Sequence, residues 1–407
     1  MNKFDKFALN RQIIKALNHA KFHEPTNIQT KVIPLIAKKI DVLGVAQTGT
    51  GKTAAYVIPI LQNLTQDNSK YKEKSCKTIV IVPTRELAMQ VYDTVKIFCK
   101  FLSIRTSLVV GGVKPKPQLK SIYKGVDILV GTPGRVMDHI RSGGLILKST
   151  KTIILDEADQ LMDLGFIPDI KKMYKMLPEA KQTIFITATM LKPVKEIALQ
   201  FLNNYTEVNL SPKVQPIEKI KQKMLYLNKE SKLEKLKYII EREQIYQAII
   251  FTRTKKRADN LAKSLNKNNF NSMSFHGDKR QAQRTRILNS FKIKKLNFLI
   301  ATDVAARGID IDNVMFIINY DLPTKPEIYV HRIGRTARAG KEGTAISLYD
   351  ESEIKWLKQI EKLIGFSFNL NMPLNKNNKR KKSKNDNRTK KKVKKKSTRK
   401  KASKNKK

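Results

Sequence analysis

Cysteine is almost missing from this chain of 407 residues: only Cys76 and Cys99 occur, in no CxxC pair and with no histidine at metal-ligand spacing. That argues against a zinc site or a disulfide framework and for two buried thiols in a reducing compartment. Long apolar runs are missing too. No stretch approaches the roughly 18 residues a membrane span requires, and "MNKFDKFALNRQ" has no apolar signal core. A soluble, cytoplasmic protein with no membrane partner is expected. The third shortage is of acid: 35 Asp and Glu face 81 Lys and Arg, a formal charge of +46. Such an imbalance points to a polyanionic partner. Residues 375–407 hold 16 Lys, 3 Arg and one Asp, yet +28 remains on residues 1–374, so the body is basic in its own right.

What is present suffices for sizeable cores, since 41% of residues are hydrophobic, and the length suits two domains and a tail. Apolar runs with strand character alternate with helical patterns, which predicts α/β architecture on parallel sheets. In the first half the runs are "DVLGVAQT", "KTIVIVPT", "TSLVVGG", "VDILVGTP", "TIILDEAD" and "QTIFITAT". The pattern restarts with "QAIIFTRT", "NSMSFHG", "LNFLIATD", "VMFIINYD" and "GTAISLY". Domains are expected over residues 1–207 and 220–368, with a linker at 208–219, where two prolines interrupt the pattern, and a Lys-rich tail at 369–407. Nothing in the tail's composition builds a core, so it is expected to be disordered.

"AQTGTGKT" (Ala46, Gln47, Thr48, Gly49, Thr50, Gly51, Lys52, Thr53) follows a predicted strand and precedes an apolar helical pattern. That is the context of a phosphate-binding loop: glycines turn backbone N–H groups to phosphate, Lys52 reaches the outer phosphates and Thr53 offers a hydroxyl to magnesium. The strict pattern has Gly where this chain has Ala46. A second strand, "IILDEAD", ending beside the first, would supply what the loop lacks, with Asp156 toward magnesium (Mg2+) and Glu157 orienting the attacking water. Either feature alone also fits an ordinary strand-to-helix turn; the two together do not.

Taken with the phosphate loop, "DEAD" at Asp156–Asp159 resembles the DEAD-box RNA helicases, and the likeness extends in order over about residues 4–366. It implies two RecA-like domains in tandem, ATP and Mg2+ as cofactors, and RNA as partner. "FHEPTNIQ" looks like the family's Q motif, which places Gln29 on the adenine edge and Phe4 as the aromatic stacked on adenine. "PTRELA" (with Pro83, Thr84, Arg85), Gly111 and Gly112, and "TPGR" (Thr132, Pro133, Gly134, Arg135) resemble motifs that line the RNA path. Later, "IIFTRT", "FHGDKRQAQR", "ATDVAARGID" and "YVHRIGRTARAG" imply Arg253, Gly277 and Thr302 on RNA, Asp310 on ribose, and Arg335 and Arg338 entering the ATP site from across a cleft. Asp159, Thr187, Thr189 and His331 are implied to couple the two sites.

Three positions depart from the family's wording: Lys21 and Ala337 stand where Gly is usual, and Thr187 where Ser is usual. The wording of two motifs, "IIFTRTKKRADNLAKSLNK" and "DLGFIPDI", looks most like the bacterial RhlE type. The resemblance implies an RNA-dependent ATPase that separates short RNA duplexes locally, with ribosome assembly or RNA decay as the expected duty; the basic tail points to ribosomal RNA or pre-ribosomal particles as partners, and a monomer is the default expectation. An ATP-gated clamp or annealer with little unwinding is the alternative, and a DNA translocase a more distant one.

Overall fold

The computed structural model describes residues 2–47, 49–190, 192–210, 220–227, 231–306, 311, 314–337 and 342–368. Thr48, Asp310, Arg338, most of the expected linker and the expected tail lie outside the described residues.

Seven strands form the first sheet: β1 (Val42–Val45), β2 (Cys76–Ile81), β3 (Thr106–Val109), β4 (Val126–Gly131), β5 (Thr152–Leu155), β6 (Gln182–Thr187) and β7 (Thr206–Asn209). Their order is β3-β4-β2-β5-β6-β1-β7, all parallel. Parallel strands joined by helices are covered on both faces, which explains why the sequence shows continuous apolar runs there. Alternate residues feed different cores. Val42, Ile184 and Ile186 enter one, and Leu43, Ile153, Leu155 and Phe185 the other, the two-residue period of a pleated strand.

The second sheet holds β8 (Ile220–Tyr226), β9 (Ala248–Phe251), β10 (Ser272–Phe275), β11 (Phe298–Ala301), β12 (Phe316–Asn319) and β13 (Gly343–Tyr349). Its order is β10-β11-β9-β12-β13-β8, again parallel. It too separates two cores, one with Ile250 and Ile300 and the other with Ile249 and Leu299.

The eleven strands expected from apolar runs are all present, shortened where the run continues into a loop. β7 and β8 are not among those runs. Val208 and Asn209, assigned by composition to the linker, are instead paired with Gly44 and Val45. "TEVN" and "IKQKMLY" are edge strands, too polar to stand out as buried ones. One further expectation is corrected: β5 does not end beside β1, because β6 lies between them.

Strand order divides the functional loops into two groups. The loops after β5, β6 and β1 carry DEAD, the Thr187–Thr189 turn and the phosphate loop, while those after β3, β4 and β2 carry Gly111–Gly112, TPGR and PTRELA. In the second sheet, Gly277, Thr302 and Arg253 follow the three adjacent strands β10, β11 and β9. Ligands of open parallel sheets bind at these carboxyl ends.

Candidate active site

The phosphate loop turns on Gly49 (φ 85°) and Gly51 (φ 86°), both in the left-handed region that glycine occupies without steric cost. Gly51 caps the helix Lys52–Thr65, whose N-terminal N–H groups and dipole favour an anion. Behind the loop, Thr26 Oγ1 donates to Thr50 O at 2.8 Å and Gln29 Nε2 to Gly51 O at 3.1 Å. Gln29 Oε1 accepts from Thr26 N at 2.9 Å, so both ends of this buried carboxamide are engaged with the loop and its own helix start. Phe4 is fully enclosed in the first core, 6.1 Å from the Phe7 ring, and offers no open face for stacking. Ala46 is buried at the end of β1, its N–H on Thr187 O at 3.2 Å, and Gln47 O accepts from Thr50 Oγ1 at 2.7 Å.

Lys52 is the informative residue. It is 7% exposed, and its ammonium has no hydrogen-bond partner among the described residues. A buried ammonium without a partner is costly, and what surrounds it is acid. Asp156 and Glu157 are 2% and 4% exposed. Burial raises the Asp156 carboxyl above its ordinary range, opposed by Lys52 and by the Tyr56 hydroxyl, which donates to Asp156 Oδ2 at 2.9 Å. Burial likewise lifts Glu157 to about 7, opposed by Lys52 and, from the second lobe, by Arg335. Glu157 sits at φ 49°, and its carboxylate accepts from Gln160 Nε2. Side chains seldom adopt that backbone region, and such strain gathers at functional sites.

Asp159 is held by the next strand. Its Oδ2 accepts from Thr189 N (3.1 Å) and Thr189 Oγ1 (2.9 Å), whereas Thr187 Oγ1 donates to Thr189 O at 2.9 Å. Thr189 therefore makes the DEAD contact directly. Thr187 supports it from a fully buried position where its extra methyl is accommodated.

On the other half of the sheet the small residues lie against arginines or open space. A Cβ on Gly112 would overlap the Arg85 guanidinium, so Gly111 and Gly112 lie directly on that side chain. Arg135 Nη1 reaches the same loop, at Val113 O (2.8 Å). At Gly134 and Gly277 a Cβ would meet nothing within 4 Å. Protein packing therefore does not demand glycine at either position. Thr84 and Thr132 are the N-caps of the two helices that carry Arg85 and Arg135, and Pro133 opens the second.

From the second lobe, Arg335 and His331 border a recess with Phe251, Asp303, Ile328 and Arg332. Arg332, which sequence reasoning passed over, is 2% exposed and fully engaged: Nη2 on Asp303 (2.9 Å), Nη1 on Asn319 Oδ1 (3.0 Å) and Asp321 O (2.7 Å). Asp303 follows Thr302, and Arg332 precedes Arg335 by three residues, so this pair ties the two motifs. A second missed group joins the lobes. Glu86 (4% exposed) accepts from Gln281 Nε2 at 2.8 Å and Arg284 Nη2 at 2.7 Å across 195 and 198 residues of sequence. All three stand within "PTRELA" and "FHGDKRQAQR", but a charge pair so distant in the chain leaves no local pattern.

An orphaned buried lysine at a helix N-terminus, beside two raised carboxylates and an incoming arginine, fits a nucleoside triphosphate with Mg2+. Fold and site together define a two-lobed P-loop ATPase of the RecA-like kind. Residues 26–197 match the family model for DEAD/DEAH box helicase, and residues 231–340 that for the helicase conserved C-terminal domain. The chain is 40% identical over 362 residues to the DEAD-box ATP-dependent RNA helicase CshA of Geobacillus kaustophilus, covering 89% of this chain and 76% of that protein. S. cerevisiae Dbp5 bound to RNA and ADP BeF3 superposes with TM-score 0.78 at 32% identity, over 90% of this chain and 95% of Dbp5. A Dbp5 variant bound to Gle1 and IP6 gives 0.66 at the same identity, over 90% of this chain and 93% of that one. The chain belongs to the DEAD-box ATP-dependent RNA helicases. It is an RNA-dependent ATPase by class, with ATP and Mg2+ as its cofactors.

Proposed function

We propose that the protein separates short RNA duplexes locally and without processive travel, one strand being gripped across both lobes while ATP holds them together. The observation that carries this reading is the convergence of Lys52, Asp156 and Glu157 from the first lobe with Arg335 from the second, alongside the buried Glu86 clamp. In this reading Lys52 and the loop N–H groups of Gln47 to Thr53 hold the phosphates. Thr53 and Asp156 hold Mg2+, which supplies positive charge to the outer phosphates when bound. Glu157 takes the proton of the attacking water, and Arg335, with Arg338, meets the charge that spreads over the phosphoryl oxygens. Gln29 serves the adenine and Asp310 the ribose, whereas Phe4, enclosed in the first core, has no face to stack on the base as the resemblance implied. Since Gln29 also bonds Gly51, a base seated there bears on the phosphate loop.

Pro83, Thr84, Arg85, Gly112 and Thr132 to Arg135 form the first lobe's RNA path, and Arg253, Gly277 and Thr302 the second's. Contacts to phosphates and sugars would make binding blind to base sequence. Asp159, Thr187, Thr189 and His331 couple hydrolysis to closure. The working unit is a monomer of two lobes, residues 1–209 and 220–368, joined through 210–219, because β7 carries the first lobe to Asn209. Its duty is ribosome assembly or RNA decay, with ribosomal RNA as target. ATPase rates with and without single-stranded RNA test this. RNA should stimulate turnover, and Glu157→Gln should cut it by about 10²- to 10⁴-fold. Parental turnover in the variant, or no response to RNA, contradicts the assignment.

A further inference from the structure

Arg253 leaves the end of β9 with its backbone and its head group both held. Its N–H donates to Asp321 Oδ2 at 3.1 Å, and Asp321 is fully buried and gripped by Arg257 through Nε (2.9 Å) and Nη2 (2.7 Å). Its Nη2 donates to Glu353 Oε1 at 3.0 Å, and its guanidinium carbon lies 4.6 Å from the centre of the Trp356 ring. Glu353 is fully buried and saturated: Oε1 also accepts from Leu322 N (3.2 Å), and Oε2 from Lys232 Nζ (2.6 Å) and Asp350 N (3.3 Å). A carboxylate with four donors has no freedom to swing, so the arginine it holds is fixed as well. Lys232, Arg253 and Arg257 face Asp321, Glu353 and the more exposed Asp350. The cluster is thus balanced without any ligand, yet the Arg253 side chain keeps 30% exposure.

We infer that Glu353 and Trp356 are positioning residues that lock Arg253 as a ready-made phosphate fork for the RNA strand crossing the ends of β9, β11 and β10. This rests on the RNA path proposed above. An arginine ordered before binding loses less freedom when it takes a phosphate, and stacking holds the guanidinium plane without occupying its donors. The benefit falls on affinity for RNA, not on the chemical step.

Trp356 is the chain's single tryptophan and is half-buried, so its emission reports on this stack. The full-length protein is titrated with a single-stranded uridine oligonucleotide in the presence of a non-hydrolysable ATP analogue, and ATPase is followed in parallel. Emission should change saturably with RNA, and Arg253→Lys, which keeps the charge but not the planar fork, should abolish the change. Trp356→Leu should raise the KM for RNA about two- to fivefold, the worth of an exposed cation–π contact, with the effect on KM rather than kcat. Trp356→Phe should restore most of it. Silent emission while RNA stimulates the ATPase overturns the inference, as does a parental KM in Trp356→Leu. Should the leucine variant fail to melt cooperatively, the parental titration and Trp356→Phe decide alone. A parental KM in Arg253→Lys removes the RNA role of Arg253 and this inference with it. Absence of any RNA response instead sinks the RNA path itself.

Discussion

Glu157 is held where opposing forces meet: burial disfavours its charge, Lys52 and Arg335 favour it, and the balance lifts its carboxyl from 4.5 to about 7. In the nucleotide-free protein the folded state then keeps a proton between those values that the unfolded chain has already released. The group's contribution to stability is therefore full below about 4.5 and is lost as pH rises through about 7. Glu157→Gln is predicted to remove that fall, giving a higher Tm than the parent above pH ~7, with about 2–4 °C for each kcal/mol recovered; thermal melts across pH check it. Thr189→Val keeps shape but removes the hydroxyl from Asp159, one of two Thr189 donors on that oxygen. Duplex release per ATP hydrolysed is expected to fall several-fold while ATPase falls less, the loss of one hydrogen bond to a charged group being worth about 1.5–3 kcal/mol. At this scale the sequence named the acids and the loop, because their spacing is itself the chemistry. It could not show that Thr189 rather than Thr187 holds Asp159, that Phe4 is enclosed, or that Gln29 is already bonded to Gly51, since each depends on which way a side chain turns.

Helix and strand ends carry the next consequences. Lys21, just past the helix Arg11–His19, adopts φ 60°, and Ala337 adopts φ 55°. The family's glycines at these two positions thus answer a backbone requirement. Lys21→Gly is predicted to stabilise the protein by roughly 0.5 kcal/mol, relief of the left-handed strain being partly offset by the looser unfolded chain; a urea midpoint measures it. Between elements, the helices Arg85–Phe98 and Gln281–Lys292 meet through Glu86, Gln281 and Arg284, Arg284 being 6% exposed with its guanidinium pKa lowered by burial against the pull of Glu86. Glu86→Ala strands that arginine, a loss of about 2–5 kcal/mol where a buried pair is broken. The closed population with ATP analogue and RNA should drop at least tenfold, read by energy transfer between dyes on the two lobes. Strands with continuous apolar runs were legible one by one; their order was not, because a two-residue period says how a strand is covered but not which strand lies beside it.

For the whole molecule, charge was the most legible property and its use the least. Nineteen cationic side chains in residues 375–407 should release counterions on RNA, so deleting that segment is expected to flatten the salt dependence of RNA binding and to spare the ATPase measured without RNA. An unchanged slope of log affinity against log salt would assign the tail another task. Both sheets carry their functional loops at the carboxyl ends of their strands, and the strand that carries the phosphate loop has a peculiar debt to the rest of its lobe. β1 is hydrogen-bonded to β6 and β7 alone, residues 182–209, although it is itself made by residue 45. During synthesis the loop therefore leaves the ribosome long before anything can pair with its strand, and a nascent chain halted before residue 182 has no partner for it at all. Nucleotide binding should appear late on the ribosome and abruptly, only after β7 has emerged and the lobe closes as one unit.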